Sequence, residues 1–162
     1  MNELRQALTE LVGLHRELLS ISVEKMEGIK VGNIDSLQPL LTRERKLVQK
    51  IEQVEKIRIQ LVNNWIEAEE ITDAEPTITF ILEQMTNETE RLELEEVTIE
   101  LTKVITELKA QEKLNIALIN QSMQFVQMSL DLMSPSLKNM NYSNMDKPDV
   151  EQPNRSIFDS KA

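Results

Sequence analysis

The sequence predicts an all-α fold: about four helices, the last one long, followed by a disordered tail. Three observations carry this. Only five of 162 residues are aromatic: Trp65, Phe80, Phe125, Tyr142 and Phe158. The three glycines all lie before residue 33. Sheet proteins spend more of both on strands and turns. The remainder runs on Leu, Ile, Val, Met, Glu, Gln and Lys, mostly good helix formers, with apolar residues returning at steps of three and four.

The first helix is expected from about Asn2 to Ile29. Its stripe reads Leu4, Leu8, Leu11, Leu18, Met26 and Ile29, widened by Val12, Leu14, Leu19 and Ile21. Gly28 weakens the helix, and Gly32-Asn33 is a turn signal. The second helix is expected to start at Asp35 or Ser36, which places Pro39 in or just after the first turn, where a missing N–H costs little. An Asn33 start pushes Pro39 inward and is disfavoured. Its stripe runs Leu40, Leu47, Ile51, Val54, Leu61 and Trp65, and it ends near Glu70.

Thr72-Asp73-Ala74-Glu75-Pro76 breaks the pattern. A short third helix over about 75–85 carries Ile78, Ile81, Leu82 and Met85. Asn87 with Glu90 then resembles a capping box. The last helix runs from there to about Met133, roughly 65–70 Å at 1.5 Å per residue. Its seam is Leu94, Val97, Leu101, Val104, Leu108, Gln111, Asn115, Leu118, Ser122, Phe125, Ser129 and Leu132. The helical domain is thus read as residues 1–134. Residues 135–162, rich in Ser, Asn, Asp, Lys and Pro, are read as a flexible tail that buries too little surface to offset its ordering entropy.

Composition excludes several functions. The chain has no Cys, one His and a formal net charge of −10. Disulfides, zinc knuckles, thiol nucleophiles and multi-histidine metal sites are out of reach. General nucleic-acid binding is disfavoured, because it is driven by cations on phosphate. Apolar runs are far shorter than the roughly 20 residues needed to span a bilayer. No signal peptide is visible after Met1, so the cytoplasm is expected. Residues 67–100 hold twelve acids and one base, and residues 43–58 hold six bases and three acids. These stretches are read as solvated helix faces, with mutual attraction as the other reading.

Candidate chemistry is sparse. His15 sits on the first seam. Phosphotransfer needs an exposed imidazole with small neighbours, and His15-Arg16-Glu17-Leu18-Leu19 has none. A half-buried histidine with one hydrogen-bond partner is the favoured reading. Glu93 and Glu96 share a helical face, but nothing nearby desolvates them for proton transfer. There is no Glu-x-x-His pair and no phosphate loop. No enzyme and no cofactor are expected.

The informative feature is the polar series Gln111, Asn115, Ser122 and Ser129 in the final seam. Polar seam residues cost stability and set register or partner choice. Soft apolar residues surround them, and five of eight methionines fall between 123 and 145. Two readings stay open: a pliable strip that takes a helix in trans, or methionines filling the bundle's own core. The terminal Ile157-Phe158 is likewise either a short linear motif or plain tail.

Several motifs resemble the flagellar export chaperones of the FlgN type. They are Leu11-x3-His15-x2-Leu18-Leu19, the turn Gly32-Asn33-Ile34-Asp35-Ser36-Leu37, and Arg43-Glu44-Arg45-Lys46-Leu47. Later come Leu108 through Asn115, Asn120-Gln121-Ser122-Met123-Gln124-Phe125, Asn141-Tyr142-Ser143 and Phe158-Asp159-Ser160-Lys161-Ala162. The acidic middle matches least. The resemblance implies an elongated antiparallel helical bundle or coiled coil. It also implies binding of an amphipathic helical segment of the hook-associated (hook–filament junction) proteins, protection against premature assembly, and delivery to the type III export gate. The expected cargo site is Asn115, Leu118, Ile119, Ser122, Phe125, Val126, Met128, Leu132 and Met133. Tyr142 is the residue the resemblance assigns to gate docking. A homodimer through the same seam stays open. The competing class is a generic antiparallel coiled-coil scaffold or adaptor. It explains the helices and the acidity, but not the turn and terminal motifs together.

Overall fold

The computed structural model describes residues 1–69, 71 and 77–142, with side chains through residue 133. It contains four helices: α1 (Asn2–Lys30), α2 (Ile34–Ala68), α3 (Ile78–Gln84) and α4 (Glu88–Tyr142). The all-α class and the long final helix follow the sequence pattern. The chain divides into two compact units, Met1–Gln121 and Ser122–Ala162.

In the first unit, α1 and α2 form an antiparallel pair. The turn between them explains the geometry. Gly32 adopts φ 67°, a conformation that costs a Cβ-bearing residue. This lets Gly32 N–H reach the Ile29 carbonyl and Asn33 N–H reach the Gly28 carbonyl, which closes the helix with a Schellman motif. Asn33 then caps α2, its side chain accepting from Ser36 N–H at 3.2 Å. The expected start at Asp35 or Ser36 is therefore corrected: α2 begins at Ile34, and Pro39 lies inside it. The cap and the Schellman turn share one residue, and together they outweigh the single helical bond that Pro39 removes. Gly28 lets the helices meet closely, since a Cβ there would lie 2.8 Å from Leu37 Cδ2.

Ion pairs fix the helix directions. Lys50 of α2 meets Glu10 of α1, and Arg43 meets Glu24, so the two helices run oppositely. Arg5 meets Glu93, Arg16 meets Glu100, and Lys25 meets Glu112, so α4 runs parallel to α1. The alternative reading, attraction between residues 43–58 and 67–100, is not what forms. Among the described residues, the ion pairs of both stretches go to α1 or stay within their own helix.

One core joins the helices: Leu4, Leu8 and Leu11 from α1, Val54 and Val62 from α2, Ile81 from α3, and Leu94 and Val97 from α4. Ile81 has no exposed surface, and Ile78 and Leu82 pack against the same core, so the seven-residue α3 is held by packing more than by its length. Thr77 caps it through Phe80 N–H at 3.2 Å. Asn87 caps α4, its Oδ1 accepting from the N–H groups of Thr89 and Glu90. The expected break at 72–76 lies outside the described residues. The helix expected to end near Met133 continues to Tyr142 through Pro135. A proline removes one helical N–H, and the helix formers Leu137, Lys138 and Met140 resume behind it. Residues 143–162, with most of the expected tail and its terminal motif, lie outside the described residues.

Candidate functional site

The seam of α4 behaves differently in the two units. In the first, its polar residues are taken up by α1. Asn115, 3 % exposed, donates from Nδ2 to the Ser22 carbonyl at 2.9 Å and to Ser22 Oγ at 3.0 Å. Gln111 donates from Nε2 to Asn115 Oδ1 at 3.0 Å and to the Met26 sulfur at 3.3 Å. Beside them Lys25, itself buried, reaches Glu44 at 2.6 Å and Glu112 at 3.0 Å. Burial pulls the Lys25 ammonium toward the neutral form, but the hydrogen bonds and charges of the two glutamates outweigh it. Its pKa sits above the ordinary lysine value. Sequence reading singled out Gln111 and Asn115 but missed the α1 side of this polar layer. Ser22 and Lys25 stand seven and ten residues after His15, on the α1 seam; that spacing was the available signal.

Of the expected cargo residues, Asn115, Leu118 and Ile119 belong to the first unit. The Asn115 amide is engaged by α1, Leu118 is half-buried and Ile119 is exposed. The others belong to the second unit. There Ser122, Phe125, Val126, Met128, Leu132 and Met133 are all exposed. Phe125 and Leu132 keep 70 % and 74 % of their surface open. Met123 and Leu130 are open beside them and extend the expected set. Helical position reveals them: each lies three or four residues from Val126. Ser129 donates to the Phe125 carbonyl at 2.9 Å, so its hydroxyl is satisfied within the helix. The helix face opposite carries Gln127, which donates to Asp131 at 2.9 Å. Tyr142 is the last residue of α4; its side chain lies outside the described ones.

The chemistry of the strip is simple. From Leu114 through Leu130 the sequence has no charged residue. A contiguous run of exposed Met, Phe, Val and Leu on one helix is unusual for a monomer surface. Flexible thioethers can remould to a partner. His15 has a plain structural setting, half-buried with Nδ1 2.7 Å from the Leu11 carbonyl. No helix among the described residues is long and apolar enough to cross a membrane.

Comparison with known proteins adds an independent line. The family described as "FlgN protein" matches residues 1–148. A protein of Bacillus subtilis (strain 168), described as "Uncharacterized protein YvyG", is 33 % identical over 158 residues, covering 97 % of this chain and 96 % of the relative. No solved structure matches.

Proposed function

The chain belongs to the FlgN family of flagellar export chaperones, and from that membership we propose that its second unit is the cargo-binding element. The family is one of chaperones, not enzymes, and interacts with flagellar hook-associated proteins. In this reading the exposed strip covers an amphipathic helical segment of such a protein in the cytoplasm. It blocks premature assembly and delivers the cargo to the export gate, with Tyr142 as the gate contact.

One observation supports this most strongly: the chain leaves a run of large apolar side chains on residues 122–133 open. A cargo helix that later polymerises must itself expose an apolar face, an aggregation hazard while free. Pairing the two faces by helix-in-groove docking hides both. Burying about 500 Å² of apolar surface contributes roughly 12 kcal/mol gross, much of it offset by association and ordering costs. Binding of this kind is tight enough to protect and weak enough to release without nucleotide hydrolysis. Titration of the intact chain with hook-associated proteins of its own cell tests the reading. Saturable binding of at least one of them is expected, and absence of binding to all would overturn it.

A further inference from the structure

We propose that two helical segments of the partner dock on residues 122–133 at once, one along each side of α4. The proposal rests on the cargo reading above and adds the form of the occupant. At about 100° per residue, the exposed apolar side chains form two stripes. One is Phe125, Met128 and Leu132; the other is Met123, Val126, Leu130 and Met133. All seven are at least 55 % exposed. From Met128 round to Met123 they cover an arc of about 220°. A face built for one neighbouring helix needs an apolar stripe of roughly 100°. A single occupant would leave one stripe in water.

The polar positions fit two occupants. Ser122 and Ser129 lie near the middle of the arc, on the line between the stripes. Two helices seated on the flanks leave that line least covered, which is where small polar side chains cost least. The Ser129 hydroxyl already bonds within α4 and asks nothing of a partner. Gln124, Gln127 and Asp131 fill the remaining arc and face away from both stripes.

Charge argues against a second copy of this chain as the occupant. Each copy carries −10, so self-pairing brings like charges together. The described strip carries one acid, Asp131, and no base. It suits uncharged apolar faces of cargo helices.

Hydrogen exchange on the complex of the full chain with an intact hook-associated protein tests this. Two stripe variants are compared: Phe125→Ser with Leu132→Ser, and Val126→Ser with Leu130→Ser. These side chains are exposed, so circular dichroism should show unchanged helicity. Two separate helical segments of the partner should gain protection, and each variant should lose one of them with at least tenfold weaker binding. One protected segment, with one variant binding like the parent, overturns the two-helix mode and leaves the cargo reading standing. Binding unchanged in both variants contradicts the strip itself. A strip-dependent dimer of the free chain in sedimentation would also overturn the proposal, by making the second copy the occupant.

Discussion

Asn115 of α4 donates to both the carbonyl and the hydroxyl of Ser22 in α1, at 2.9 and 3.0 Å, and Ser22 has no exposed surface. This pair joins helices 93 positions apart in sequence. It turns a polar seam position into a register mark, because sliding α4 by one turn would bury the amide and the hydroxyl without partners. Polar groups in a seam cost stability and gain specificity in this way.

Replacing Asn115 with Leu should therefore destabilise the chain by about 1–2 kcal/mol, read as a lower urea midpoint at unchanged m-value. Adding Ser22→Ala should recover part of the loss, since the orphaned hydroxyl is then gone. An Asn115→Leu chain as stable as the parent would show that the pair sets nothing.

Lys25 gives a pH-dependent signature. Its folded pKa is raised because Glu44 and Glu112 outweigh the desolvation. A raised lysine pKa contributes stability fully below the unfolded value, and that stability is lost as pH rises through the folded one. Lys25→Met should cost about 1–2 kcal/mol at neutral pH, because two partly buried glutamates lose their common cation. The gap between parent and variant should close as pH rises past the ordinary lysine value and through the raised folded one. A gap that stays constant through the alkaline range would contradict the assignment.

The α1–α2 turn rests on two residues. Gly32→Ala places a Cβ at positive φ, and the strain exceeds the entropy gained in the unfolded chain, for a net loss of about 1 kcal/mol. Asn33→Ala removes the α2 cap and should cost about as much. Chemical denaturation measures both, and a stability unchanged in either variant would refute this account of the turn.

The sequence made the helices legible through their stripes, and the structure buries Leu4, Leu8, Leu11, Val54, Leu94 and Val97 as that pattern implies. The α2 start was misread because Pro39 was weighed against a first-turn position, while Asn33 serves the turn and the cap together. The burial of Ser22 and Lys25 was hidden for another reason. A serine and a lysine on a stripe look like interruptions until facing helices supply their partners: Asn115 for Ser22, and Glu44 and Glu112 for Lys25. The exposed strip was visible as a cluster of methionines around polar seam positions. Whether it filled a core depended on tertiary packing that no periodicity encodes. Leu130 emerges only when the residues are placed around the helix.

The most direct test is calorimetric titration of a hook-associated protein into the intact chain carrying Phe125→Asp, Val126→Asp and Leu132→Asp. These side chains are exposed, so melting and helicity should match the parent. Affinity should fall at least a hundredfold. Parental affinity in the folded variant would contradict the cargo reading.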